Sequence, residues 1–579
     1  MGEPTSAVLN YNDTRVHLPA DSNQALGLAQ YAINFMGGKG AGTGQAAMKE
    51  GKGFGDPARG VLERTNLFHT DAVLCGISAI ALGTNAPLVL RQEAMQYRAA
   101  SGGFGTLAGP GGARRGGVPV FGSDVDVAVE KAIAANCAAV REWDSNGTNF
   151  GYSAERAEHR AGEFGHNDYY SVAVAAAQLR GMNGEYALRG MVLLDEIRGR
   201  LAEVFSLKSY KIDHVMHGAI ASAATFGAMM GATAEEIESA IGMVVAHYVP
   251  FRAIRAGKQL SDSKGASAAI STEAAILSVK RSMAGFIGPK DIFRNPEAIF
   301  RLFEGPGQMF VKKGIEGSRD RGIEGKSMYA SPFDLYLSYG GEDFTVMGMH
   351  FKLGLYEHQS AGALQGLITL LQKHPHLLED QSGDAIGKIV VRAYEPAYGI
   401  IGDPAKRDPR TRQSADHSML YLVCTKLRKA LELAHNEAGA GILKRRGFDW
   451  KDLMLLPHDF DAGAIRDPLT RALMDKMTFE HGGPEYDAKY PDGIPTSIQI
   501  TDESGETFDS GLVMYPAGHA RNTTADVKDI LNHKFEVLGA LASDDAAGIV
   551  TKIGTLEKKS AKEVGRLYDF AIIRRGRFE

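Results

Sequence analysis

The sequence predicts a mainly α protein: a large all-helical domain, made by the N-terminal part and the C-terminal helices, with a smaller α+β domain inserted between them. Three observations carry this. From about Leu62 to Gly288 the chain is apolar, rich in alanine and patterned at helical spacing. Near Lys290 the texture changes to short β-like runs mixed with helices. After Asp526 it returns to helix, through Leu556 to Arg566.

Taken in order, residues 1–60 read as an N-terminal extension: a polar start, one helical pattern from Asp21 to Phe35, and a glycine-rich connector from Gly37 to Gly60. The helical domain covers 61–291 and is completed by 525–579. Segments near 68–83, 124–143, 170–179, 184–203, 217–230, 234–247 and 266–284 suit helices with wide buried faces, and their small residues permit close approach. Thr233 before Ala234-Glu235-Glu236 is a capping-box arrangement. The α+β domain covers 292–524. Its strands are expected at 388–394, at 496–501, where Ile498 and Ile500 alternate with polar neighbours, and at 507–515. Helices are expected at 359–372 and 419–433, and the stretches 302–343 and 436–465 read as surface insertions.

Composition narrows the function. Of 579 residues, 64 are Lys or Arg and 69 Asp or Glu, a net −5 without a basic block, which argues against a nucleic-acid phosphate binder or a polybasic membrane patch. The apolar stretches Ala72 to Leu90 and Gly218 to Ala232 read as buried helices, not membrane spans. The N-terminus lacks a basic n-region and an apolar h-region, so a cytoplasmic setting is expected. Cys75, Cys137 and Cys424 lie far apart and match neither zinc nor iron–sulfur spacing. No metal and no cofactor are expected. The glycine run Gly37 to Gly44 lacks the Lys-Ser/Thr of a phosphate loop, and Gly103 to Ala108 is followed by Gly109-Pro110-Gly111-Gly112, where no helix can start; both are read as connectors.

Chemistry is sought where polar residues interrupt apolar helical sequence. Asp144 follows Trp143 and opens a turn. His166 and His214 each precede a helix, and Lys264 opens an Ala-rich one. Lys352 and His358 flank a loop before a helix, and Asp416-His417 with Tyr421 opens another. Singly, each is more simply a cap or a satisfied polar group.

In order, they resemble the MmgE/PrpD family. Phe68 to Gly76 resembles its early helix, Arg141-Glu-Trp-Asp144 the segment of its first site aspartate, and Glu163-Phe-Gly-His166 its GHP element. Asp213-His214-Val215 is similar to the DHV of the dehydratase branch. Arg252 and Arg255, followed by Lys264-Gly265, resemble the LRxxR…WKG stretch. Phe351-Lys352 with His358 is similar to its lysine-and-histidine loop, and Asp416-His417 with Tyr421 to its DHxxxY element. Tyr515-Pro-Ala-Gly-His519-Ala-Arg521 resembles YPxGHAR. This chain has Asn167 where Pro is common, Ser263 where Trp is usual, and Gly147 where a second aspartate is expected.

The resemblance implies a metal-free site between a helical domain and a lid domain, and a homodimer acting on a small tricarboxylate, without nucleic-acid or membrane partners. It implies dehydration of 2-methylcitrate to 2-methyl-cis-aconitate, with citrate as a further candidate substrate. Removing a weakly acidic proton beside a carboxylate needs fixed positive groups. Lys264, Lys352, Arg252 and Arg521 suit that need, with Arg255, His417 and His519 as further binding residues. Asp144 and His166 are assigned to the acid–base pair in either order, with His214, His358 and Tyr421 orienting or donating to the leaving hydroxyl. Decarboxylation of cis-aconitate, epimerisation of a dicarboxylate, and an inactive carboxylate-binding protein stay open as alternatives.

Overall fold

The computed structural model describes residues 10–12, 14–37, 55–99, 115–157, 159–255, 259–304, 330–402 and 406–578. Most of the two glycine runs lies outside these residues, as does 305–329 of the first expected insertion.

The architecture is mainly α. Strand β1 (Arg15–Leu18) and helix α1 (Gln24–Met36) lead into α2 (Arg59–Ala81) and α3 (Asn85–Gln96). The break between α2 and α3 falls at Gly83, whose φ of 70° sits in the left-handed region, and Thr84. Then follow α4 (Val129–Arg141), the two-residue strands β2 (Thr148–Asn149) and β3 (Gly165–His166), α5 (Ser171–Arg180), α6 (Gly184–Val204), α7 (Val215–Met230), α8 (Ala234–His247) and α9 (Ser263–Met283). Helix α7 is buried along its whole length and packs on α1, α5, α6, α8 and α9. Its small residues make that possible: a Cβ at Gly218 would stand 2.1 Å from the Tyr169 ring. The Thr233 capping box opens α8. No single helix among the described residues is long and apolar enough to cross a membrane.

The second half carries β4 (Leu335–Ser338), α10 (Ala361–Lys373), β5 (Ile386–Ala393), α11 (Met419–Ala434), β6 (Met477–His481), β7 (Thr496–Asp502), β8 (Thr507–Asp509) and α12 (Val527–Ala542). One sheet runs β6–β5–β7–β8, with β5 parallel to β6 and antiparallel to β7. Ile389 faces Ile500 and Val391 faces Ile498 across it, all fully buried, so the alternation in β7 marks its inner face. Helix α10 covers β7, and α12 returns to pack on α2.

Three expectations are corrected. Residues 14–36 are built into the body, not appended to it: Val16 and Leu18 are buried, β1 pairs with β4, and α1 packs on α7 and α8. For the same reason residues 335–338 are a buried strand and not a surface loop. Within 436–465 the helix Glu437–Arg446 stays at the surface, but the run 448–455 is interior. Phe448, Trp450, Leu453, Met454 and Leu455 are each at most 4% exposed, and the Leu455 carbonyl accepts from the Leu355 amide at 2.9 Å. Charged neighbours such as Lys451 and Asp452, paired with Asp529 and Arg446, hide that apolar content from a local reading.

Candidate active site

Helix α4 ends at Arg141, and three residues later Asp144 adopts φ 49°, a left-handed conformation that turns its carboxylate back toward the helix end. It is fully buried. Arg141 Nη1 stands 2.6 Å from Asp144 Oδ1, and the Lys352 ammonium donates to the same oxygen. On Oδ2, His417 Nδ1 lies at 3.0 Å and Lys264 Nζ at 3.5 Å. Lys264, at the start of α9, also donates to Asp416 Oδ1 at 2.6 Å, and His417 Nδ1 is 2.8 Å from that atom. Behind Asp416, Arg412 reaches its Oδ2 at 3.3 Å and Glu142 Oε1 at 2.5 Å. Arg141 Nε also lies 3.8 Å from Asp168 Oδ2, so four cations face four carboxylates in a buried knot.

The electrostatics follow. Burial works to raise the Asp144 carboxyl, but Arg141, then Lys352, Lys264 and His417 outweigh it and hold it well below the usual carboxylate range. Burial lowers Lys264 and Lys352 from the ordinary lysine value, and the carboxylates restore part of that shift. Burial and then Lys264 bring His417 to about 3, so its imidazole is neutral. The proton is assigned to Nδ1, the nitrogen that lies against the two carboxylate oxygens. Glu357 goes the other way: burial and then the Asp144 charge push it up to about 8. It is therefore mostly protonated at neutral pH and adds no negative charge to the knot.

Asp144, Asp416 and His417 each present one ligand atom within 4.8 Å of one another, the spacing of a cation site. The donor set does not fit one. Both carboxylates are already engaged by ammonium or guanidinium groups, which an incoming divalent ion would have to displace.

Three more imidazoles surround this knot. His166 sits on β3, held by the pairing of Thr148 with His166. Its Nε2 is 3.2 Å from Arg141 Nη2, and its Nδ1 has no hydrogen-bond partner among the described residues. The His214 ring lies 5.4 Å from it at the head of α7, with neither nitrogen hydrogen-bonded. His358 is also without partners on both nitrogens and stacks on His350 at 5.1 Å. Burial is the first cause that lowers all three far below the ordinary histidine value; Arg141 adds to it at His166 and Lys352 at His358. Buried nitrogens without partners are costly unless a ligand meets them.

Asp144, Lys264, Lys352 and His417 therefore come into direct contact, with His166, His214 and His358 around them. Other candidates stand apart. Arg255 is consumed by Asp213, at 2.5 and 3.2 Å, and steadies the carboxylate next to His214. Arg252 is half-buried on the neighbouring 3₁₀ turn. The His519 ring lies tilted against that of His350 at 4.1 Å, and Arg521 pairs with Asp492 and lies over the Tyr515 ring. Both line a cavity of about 460 Å³ shared with Arg15, Tyr152 and Glu155, whose wall includes none of the Asp144 knot.

Tyr421 is also apart: its hydroxyl donates to the Asp459 carbonyl at 2.5 Å and its ring packs on Phe460. In Tyr421→Phe, kcat is expected to stay within about threefold of wild type, with about 1 kcal/mol of stability lost for the broken hydrogen bond. A kcat loss of a hundredfold in that variant would return Tyr421 to the chemistry.

The residues given roles did not include Arg141, Asp416, Arg412 or Glu357. For Arg141 a signal existed, its i, i+3 spacing to Asp144 at a helix end. Asp416 and Glu357 stood beside His417 and His358 in the same motifs. Two departures from the family pattern also find a physical cause. A Cβ at Gly147 would stand 2.5 Å from the Phe68 ring, so an aspartate there would have no room. The Asn167 side chain accepts from Asn146 at 3.0 Å, a bond proline could not make.

Residues 61–310 match the family model of the MmgE/PrpD N-terminal domain, and residues 452–552 that of the MmgE/PrpD C-terminal domain. The 2-methylcitrate dehydratase of Escherichia coli O157:H7 is 23% identical over 457 residues, covering 77% of this chain and 82% of the relative. That of Salmonella typhi is 22% identical over 456 residues, covering 77% and 82%. The mitochondrial 2-methylcitrate dehydratase of Yarrowia lipolytica is 24% identical over 353 residues, covering 60% and 58%. Matched across both of its domains, the chain belongs to the MmgE/PrpD family.

Proposed function

We propose that this protein is a carbon–oxygen lyase that dehydrates 2-methylcitrate to 2-methyl-cis-aconitate without a metal. The observation that carries the reading is the buried knot of fixed cations and carboxylates, ringed by neutral imidazoles most of whose nitrogens lack partners. A tricarboxylate offers carboxylates for the fixed lysine ammonium groups, and its hydroxyl supplies hydrogen-bond partners for the imidazoles. The knot also draws on two separated parts of the chain. Asp144, His166, His214 and Lys264 come from the helical part, and Lys352, His358 and His417 from residues 292–524, which we read as the lid domain.

In the reaction a C–H proton beside a carboxylate is removed, the neighbouring C–O bond breaks, and the hydroxide takes up a proton to leave as water. Charge that builds on the carboxylate is met by Lys264 and Lys352, already fixed and desolvated. Asp144, ionised and surrounded by cations, is too weak a base to lead. It holds the lysines and His417 in place. Proton transfer falls to His166 and His214, whose neutral rings lie side by side.

Incubation with 2-methylcitrate, citrate and cis-aconitate tests the reading. The expected result is ultraviolet absorbance of a new conjugated double bond from 2-methylcitrate, unaffected by EDTA. Release of CO₂ from cis-aconitate as the main reaction would replace dehydration with decarboxylation. Loss of activity on chelation and its return with metal would overturn the metal-free mechanism.

A further inference from the structure

We infer that Lys534 is a positioning residue that fixes the Asp144 and Lys352 side chains against each other. The inference deepens the reading above and rests on it for its kinetic arm. Lys534 lies on α12, is fully buried, and touches the site only through backbone. Its ammonium donates to the carbonyl of Ser145, the residue after Asp144, at 2.7 Å, and to the carbonyl of Lys352 itself at 2.9 Å. Asp71 of α2 meets the same ammonium at 2.6 Å. Two carbonyls thus accept hydrogen bonds from the ammonium, and the Asp71 carboxylate balances its charge.

The two carbonyls belong to the two loops whose side chains meet at the front of the knot. Ser145 Oγ, donating to the Gly354 carbonyl at 2.8 Å, ties the same loops a second time. Asp144 holds its left-handed backbone next to this clamp. Such a conformation persists in a non-glycine residue when its surroundings over-determine it. A planar guanidinium could not reach both carbonyls and the carboxylate from one point, so the position calls for lysine.

The test uses the full chain with Lys534→Met, Lys534→Gln and Asp71→Asn, each assayed well below its melting temperature. In Lys534→Met, kcat for 2-methylcitrate should fall about tenfold to a hundredfold, the effect of a misplacement of about 1 Å, with KM changed much less. Lys534→Gln, which keeps an amide donor, should recover part of that loss. Asp71→Asn, which keeps both bonds from Lys534 to the carbonyls, should stay within about threefold. Equal losses in Lys534→Met and Asp71→Asn would overturn the inference and leave only a buried ion pair. Where Lys534→Met does not fold, Lys534→Gln carries the comparison. A crystal structure of the folded variant decides without any substrate: separation of the Asp144 carboxylate from the Lys352 ammonium supports the inference, and an unchanged contact overturns it. Failure of the wild type to turn over 2-methylcitrate would count against the dehydratase reading alone.

Discussion

In Lys264→Ala, kcat for 2-methylcitrate is expected to fall about a hundredfold to a thousandfold, the loss found when one fixed donor to a developing oxyanion is removed. The ammonium is only 1% exposed and sits between Asp416 Oδ1 at 2.6 Å and Asp144 Oδ2 at 3.5 Å. Water screens it little, so its field on a bound carboxylate is strong. Its removal has a second consequence, because two buried carboxylates lose a counter-charge. Breaking one side of a buried ion pair costs about 3–5 kcal/mol, so the melting temperature should drop as well. Steady-state kinetics on variant shown folded by circular dichroism separates the two effects. Turnover within tenfold of wild type would remove Lys264 from the mechanism.

The second large effect concerns pH. Glu357 titrates at about 8 in the folded protein against an ordinary 4.5. The native state therefore holds a proton that the unfolded chain gives up. Its stabilising contribution is complete below about 4.5 and is lost progressively as pH rises to about 8. At about 1.36 kcal/mol per unit, the full swing is roughly 5 kcal/mol. Glu357→Gln has no proton to lose but can still accept from the Gln359 amide, as Glu357 does at 2.8 Å. Its stability relative to wild type should rise steadily from pH 5 to pH 8 and level off above. The same variant should remove part of the rise in KM expected for wild type above pH 8, where a new buried carboxylate repels an anionic substrate. Denaturant melts across that range check the first point, and a pH-independent stability difference would sink it.

Much of the helical part was legible in the sequence. Alanine-rich periodicity marks α4 to α9 because helices packed this closely need small residues on several faces, and the Thr233 cap is local chemistry. The break at Thr84 and the alternation of Ile498 and Ile500 are local in the same way. The burial of 448–455 was not legible, because its apolar residues sit among charged neighbours. The core of the site was read from the order of its motifs, which brought Asp144, Lys264, Lys352 and His417 to attention. Its supports were not. Asp416 lies in the motif that brought His417 to attention, but its contact with Lys264, 152 residues away, leaves no local pattern, and neither does that of Lys534 with Ser145, 389 away. Arg141 looks like any helix-end arginine until the left-handed turn at Asp144 folds the carboxylate back onto it.

The ion pair between Asp71 and Lys534 also sets an order of events during synthesis. Asp71 leaves the ribosome long before Lys534. Until residue 534 emerges, Asp71 has no counter-charge, and the loops bearing Asp144 and Lys352 lack the clamp that joins them. Chains released early would carry nearly every site residue yet hold no assembled site, so a truncated product has little means of competing with the finished protein for substrate.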